Sequence, residues 1–191
     1  MRLILNILLI LGIVGLAYLL YYNVKEPIAF QAEKTRRETR VVDRLKDIRT
    51  SQELYRTITG LYAPNFDTLA YVLRNQDIPQ LKVIGDPDNP EAEFTVDTLY
   101  YSTADTLEAL GINLDSLRYV PFGNGETFKI DADTLTYQQT LVNVVEVGTP
   151  RNTFMGRFGD PKYAKYDKSY NPQAMLKFGN MNSPSLSGNW E

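Results

Sequence analysis

Residues Leu3–Tyr22, LILNILLILGIVGLAYLLYY, constrain this chain more than any other stretch. They carry no charge, and Asn6 is their one strongly polar side chain. Twenty residues in helical form rise about 30 Å, the thickness of a hydrocarbon core. A helix pairs every backbone N–H and C=O within itself, so it crosses lipid at little polar cost. The expectation is a single-pass anchor over residues 1–24, with Leu3, Leu11, Leu20 and Tyr22 facing lipid. Tyr18, Tyr21 and Tyr22 cluster at one end, as an interfacial aromatic belt does. No GxxxG spacing is present, since Gly12 and Gly15 lie three apart, so the motif for helix dimerisation is missing.

The same stretch has the layout of an export signal: a short Met-Arg start, then a long apolar run. Gly15-Leu16-Ala17 is a poor cleavage site, and a cut there would leave Tyr18–Tyr22 as a greasy new terminus. An uncleaved signal anchor is therefore expected. Arg2 lies before the run, and Lys25, Lys34, Arg36, Arg37 and Arg40 lie after it. By count alone, that places the domain in the cytoplasm. Long domains translocate largely regardless of charge, and the flank also carries Glu26, Glu33 and Glu38. The export layout favours an inner-membrane protein whose soluble domain is periplasmic or extracellular.

Beyond the anchor, about 165 residues remain, enough for one domain with a real core. The chain has no His and no Cys. Ser-His-Asp triads, thiol nucleophiles and the usual zinc ligands are thereby excluded. The formal net charge is −3 with no evident basic face, so nucleic acid is not an expected partner. Thirteen tyrosines suit β-structure with polar rims.

Pro27 either opens a new helix or sits inside a continuous one. From Ile28 to Thr59 the pattern is helical, and Gly60 supplies a stop. Val41, Leu45, Ile48, Gln52, Tyr55 and Thr59 alternate spacings of four and three, with Leu54 and Ile58 widening the stripe. Val41, Leu45, Ile48, Tyr55 and Ile58 are the expected contacts between helix and core. Before Val41, the run Gln31–Arg40 shows almost no apolar face. Residues 25–40 thus read as a charged, solvated helical stalk, or else as a surface that meets other subunits. Asn65 is a candidate N-cap for a short helix with Leu69, Val72 and Leu73 on its apolar side.

After residue 80 the period shifts towards two. Strands are expected at Lys82–Ile84 and Phe94–Ser102, the latter with Phe94, Val96 and Leu99 or Tyr101 facing in. Thr103–Leu110 reads as a short helix ending at Gly111, and Gly123-Asn124-Gly125 as a tight turn between strands. Further strands are expected at Phe128–Ile130, Leu135–Tyr137 and Leu141–Val147, with edge strands at Phe154–Phe158 and Met175–Phe178. Short connections favour antiparallel pairing. Asp-Thr-Leu recurs at 67, 97, 105 and 133, too irregularly for a repeat, and reads as a cap or turn start. The domain therefore spans 41–179, and 180–191 is an extended tail whose Trp190 either docks or stays loose.

Asp86, Asp88, Asn89 and Glu91 are the one weak calcium candidate. The EF-hand spacing requires Gly and Glu where this chain has Glu91 and Asp97, so a solvated acidic turn is the plainer reading. Asp131 and Asp133 fit a turn better than an acid pair, and no Gly-rich phosphate loop follows a strand. No catalytic constellation, cofactor site or metal site is expected.

The run Asp47–Leu69, DIRTSQELYRTITGLYAPNFDTL, behind an apolar helix resembles type IV pilins and the pseudopilins of type II secretion. The shared features are Glu53-Leu-Tyr, Gly60-x-Tyr62 and Phe66-Asp67-x-Leu69. The layout, with Tyr119–Phe122, is also similar to uncharacterised single-pass envelope proteins of the Bacteroidetes. The resemblance covers roughly residues 1–75 and implies an α+β fold: membrane helix, long amphipathic helix and small antiparallel sheet head. Pilins carry a Gly at the processing site and a Glu five residues into the apolar helix; here no acid lies between Met1 and Lys25. The anchor-plus-stalk layout and the lack of catalytic groups lead to the expectation of a non-enzymatic subunit of a membrane-associated or pilus- or secretion-like assembly. The alternative is a tethered ligand- or glycan-binding module using the loops after residue 150, and a carboxylate hydrolase is the third and least supported reading. The anchor has a direct check: alkaline carbonate should leave the intact chain in the membrane pellet, and its release would remove the basis for a spanning segment.

Overall fold

The structure is a computed structural model that describes residues 2–84 and 95–191. Its spine is α1, Arg2–Thr59, a single helix of 58 residues and so about 87 Å long. Of the two readings at Pro27, the continuous helix is the one observed. Proline lacks the N–H that would pair with the carbonyl of Asn23, so one rung of the ladder is missing there. That point divides α1 into two halves. The large apolar side chains between Leu3 and Val24 are 51% to 72% exposed, and among the described residues none of them is buried.

Val41, Leu45 and Ile48 are completely buried and Tyr55 nearly so, as the stripe predicts, with Ile58 half-buried against the same core. Thr59 is exposed, which ends the stripe a turn earlier than expected. Gln52 is polar yet wholly buried. Its side chain accepts from the N–H of Ala63 at 2.9 Å and donates to that residue's C=O at 3.1 Å. It thereby satisfies both backbone groups of a loop residue that is itself buried. Next comes α2, Phe66–Asn75, capped by the Asn65 carboxamide accepting from Thr68 N at 2.8 Å. Leu69, Val72 and Leu73 face inward as expected.

Two antiparallel sheets follow. Strands β1, Ile78–Ile84, and β2, Thr95–Tyr101, form a separate hairpin. The three-stranded sheet is β3–β4–β5, from Lys129–Tyr137, Thr140–Pro150 and Met175–Gly179. Between the sheets lie α3, Thr103–Leu110, and the single turn α4, Leu114–Leu117. The Gly123–Gly125 turn closes only an isolated bridge, Tyr119 with Thr127. The β3–β4 connection is Gln138-Gln139, both in the left-handed region at φ 47° and 67°. Gln138-Gln139 adopts the two-residue hairpin geometry without the usual Asn-Gly signature. Strand β4 contributes Val144, Val145 and Val147 to the core, and β5 contributes Leu176 and Phe178. The chain is α+β.

Four expectations are corrected. Phe128–Ile130 and Leu135–Tyr137 are not two strands: residues Lys129–Tyr137 form the one strand β3, which leaves out Phe128. Phe154–Phe158 is no strand: it forms α5, Arg151–Met155, and a 3-10 turn, Gly156–Gly159. Phe154, Met155 and Phe158 are all buried, a spacing of one and four that suits a helical turn. In β2, Leu99 and Tyr101 do not face in; they are 37% and 48% exposed. The hairpin belongs to no larger sheet, so alternation has no covered side to report. Phe94 lies outside the described residues. Of the four Asp-Thr-Leu triplets, Asp67 and Asp105 open helices, but Asp97 and Asp133 sit inside strands.

The tail after residue 180 docks. Asn189 N–H donates to Lys177 C=O at 3.0 Å, and Gly179 N–H donates to Ser187 C=O at 3.1 Å. Arg49 on α1 reaches Leu186 C=O and the Glu191 carboxylate, the latter at 2.7 Å. The Trp190 ring lies over Gly188, where an added Cβ would come within 2.3 Å of the indole. Trp190, the only tryptophan, therefore reports on tail and core together. Replacing Gln52 by Leu should cost roughly 1–3 kcal/mol for each backbone group of Ala63 left unpaired. The measurement is the urea midpoint of the detergent-solubilised chain, followed by Trp190 emission; an unchanged midpoint would deny Gln52 that role.

Candidate functional site

The chemistry-bearing side chains gather along the seam where α1 meets the C-terminal part of the head. The seam begins at Phe30, which is completely buried. Around it stand Phe158 and, from a second 3-10 turn, Pro161–Tyr166, the rings of Tyr163 and Tyr166. Tyr170 completes the cluster, with its ring edge-on to Phe30 at 5.1 Å between centroids. Phe158 is edge-on at 5.6 Å, and Tyr163 is nearly parallel at 6.3 Å. Such pairs contribute about 0.5–1.5 kcal/mol each beyond their burial. The Tyr170 hydroxyl donates to Phe158 C=O at 2.9 Å. Burial, chiefly, pushes its phenol up to about 12.

Charged pairs extend the seam along the helix. Lys34 Nζ donates to Asp167 Oδ2 at 2.6 Å, and the other Asp167 oxygen accepts from Ser169 N and Oγ. The bond from Lys34 is the largest cause, and Ser169 the next, holding the Asp167 carboxyl well below the usual range. Glu38 accepts from Arg151 Nε at 2.8 Å. Arg37 donates to Glu33 at 2.8 Å and to Phe154 C=O at 2.6 Å. The bonds from Arg37 and then Arg36 hold the Glu33 carboxyl below its ordinary value. At the end nearest the apolar half of α1, the Tyr166 hydroxyl donates to Glu26. Further along, Arg44 donates to Ser116 C=O at 2.7 Å.

Phe122, from the Tyr-Val-Pro-Phe segment, has φ 63°, strained for a bulky residue at a cost of about 1–3 kcal/mol. Its ring lies under the guanidinium groups of Arg36 and Arg37, at 5.2 and 5.0 Å. Those contacts offset part of that strain.

The structure therefore does not leave residues 25–40 as a solvated stalk. One face of that segment is pinned to the head of the same chain. The side chains of Lys34, Asp167, Glu38 and Arg151 keep only 18% to 23% of their exposure. Stepping back from Val41 by helical spacings reaches Glu38 or Arg37, then Lys34, then Phe30. The stripe continues, but its middle is charged, so apolar spacing alone does not reveal it; Phe30 on the same line is its apolar mark.

Leu3, Leu11, Leu20 and Tyr22 are all exposed, and of the four only Tyr22 shares a cleft with a head residue, Arg157, among the described residues. Val41, Leu45, Ile48, Tyr55 and Ile58 meet the core. Asp86, Asp88, Asn89 and Glu91 lie outside the described residues. Among the described residues, no group of three or more acidic side chains is placed to hold a metal ion. Asp131 and Asp133 sit in β3, paired opposite Glu146 and Val144. The seam's groups are engaged with one another. No protein-family model, curated protein or solved structure matches this chain.

The lowered Asp167 carboxyl makes the seam acid-sensitive with a definite sign. A depressed carboxylate adds stability above its unfolded pKa and loses it as pH falls towards the folded value. Thermal midpoints should therefore drop below about pH 4. Asp167→Asn should lower the midpoint by a few degrees at neutral pH and flatten that acid limb. An Asn variant with the wild-type acid limb would show that the Lys34–Asp167 tie contributes nothing.

Proposed function

We propose that this protein is a non-enzymatic, single-pass envelope protein whose head works by contact as a subunit of a membrane-associated assembly. One observation carries the reading. A helix whose first half is apolar and uncovered continues, without a joint, into the core of the head. In water, that half would expose a large apolar surface at roughly 25 cal/mol per Å². A bilayer removes that cost, and the seam then holds the head at a set height and rotation above it.

The assembly part of the proposal draws on the hairpin. Register places Leu81 opposite Thr98 and Pro79 opposite Tyr100, so Leu81 and Tyr100 share one face. They are 70% and 69% exposed. An apolar face on a two-stranded sheet with open edges is a surface that a partner strand or helix can cover. The layout of a lipid-borne helix whose far half packs on a small antiparallel sheet supports the pilin-like and pseudopilin-like reading. The missing acid in the apolar helix argues for shared architecture without pilin-style processing. We place the head on the periplasmic or extracellular side, on the export-like start of the chain.

Mild-detergent extracts of native membranes should run on blue-native gels as a complex well above the 21.8 kDa chain. The double variant Leu81→Asp/Tyr100→Asp should run smaller while staying in the membrane. A wild-type chain that runs as a monomer at native expression would defeat the assembly reading. A reporter fused after Glu191 tests the side.

A further inference from the structure

We propose that the cleft where α1 leaves the bilayer holds the phosphate of an anionic phospholipid between Lys25 and Arg157. This rests on α1 spanning the membrane. The cleft measures about 430 Å³. It is lined by Tyr18, Tyr21 and Tyr22, then by Lys25, Glu26 and Ala29 further along α1, and by Arg157 from the head. Lys25 lies three residues past Tyr22, hence about 4.5 Å further along the axis. The headgroup layer is about 5–7 Å deep on each side of the hydrocarbon, so Lys25 stands at phosphate level.

Arg157 is brought to that level from far along the chain. It lies next to Phe158, which is buried against Phe30, and its guanidinium sits 4.5 Å from the Phe158 ring centre. Lys25 is likewise held over Tyr21, at 5.4 Å. Two cations steadied on aromatic rings thus face one cleft that is open to lipid along its tyrosine side. The acid in the wall, Glu26, is engaged by the Tyr166 hydroxyl.

Charge along the same edge agrees. The segment 156–168 carries exposed Arg157, Lys162, Lys165 and Lys168. Its acids are already used: Asp167 pairs with Lys34, and Asp160 with the backbone and ammonium of Lys162. Among the described residues, no carboxylate lies within ion-pair distance of Lys25, Arg157, Lys165 or Lys168. The membrane-proximal rim is therefore positive on a chain whose net charge is −3. Anionic lipid is the occupant whose charge and depth both match.

The test is native mass spectrometry of the full chain, released from micelles containing equal phosphatidylglycerol and phosphatidylcholine. The expected result is retention of phosphatidylglycerol on the order of tenfold over phosphatidylcholine. Lys25→Ala/Arg157→Ala should abolish the preference. Lys25→Arg/Arg157→Lys should keep it, as should the charge-matched control Lys46→Ala/Lys129→Ala. Equal retention of the two lipids by the wild type overturns the inference. So does a preference that survives Lys25→Ala/Arg157→Ala, or displacement of the lipid by equimolar inorganic phosphate. Flotation with neutral phosphatidylcholine vesicles reads the anchor separately. A chain that floats without lipid preference fails here alone, and one that does not float fails the membrane reading as well.

Discussion

Three charged side chains on α1, Lys34, Arg37 and Glu38, occupy the stretch of its buried face where apolar residues stand further along. Each has a partner on the head: Asp167, the Phe154 carbonyl and Arg151. Without those partners this stretch of helix would have no reason to stay against the head, because it has little apolar surface to bury. With them, the packed face runs from Phe30 to Tyr55, and the head is braced close to the point where the helix turns apolar. Half-buried ion pairs contribute modestly to net stability, since desolvation offsets much of the attraction. Their contribution here is position, and the aromatic cluster at Phe30 supplies the apolar part of the adhesion.

That brace fixes how the head is joined to the apolar half of α1. A head on a flexible tether would sample every orientation relative to that half. A head fused to a long helix and clamped along several turns of it keeps one orientation relative to the apolar half of that helix. The hairpin β1–β2 is the exception, lying outside the three-stranded sheet and exposing Leu81 and Tyr100. Segments with few buried contacts open most readily. The molecule thus combines a braced body with a less covered apolar hairpin.

Much of the fold was legible residue by residue. The Val41–Tyr55 stripe, the Asn65 cap, the helix ending at Gly111 and the Met175–Phe178 edge strand all follow from local spacing, and each is observed. Local pattern is ambiguous where one spacing suits two kinds of backbone. Phe154, Met155 and Phe158 suit a strand or a turn of helix, and the choice was made by the left-handed Gly156 and by N–H groups of Arg151 and Asn152 bonding back to Ala174 and Pro172. Leu99 and Tyr101 alternate properly, yet their strand found no sheet to give it an inside.

By itself the sequence determined that the first twenty-odd residues are a bare apolar helix, that a long amphipathic helix follows, and that antiparallel strands come after. Periodicity and charge are local properties, readable within a few turns. Only tertiary structure decided that the charged stretch after the anchor is a clamp. Its partners lie 133 residues away for Lys34, 113 for Glu38 and 140 for Glu26. A charged side chain looks the same in the sequence whether it faces water or a counter-charge, and only the folded chain brings that counter-charge within reach.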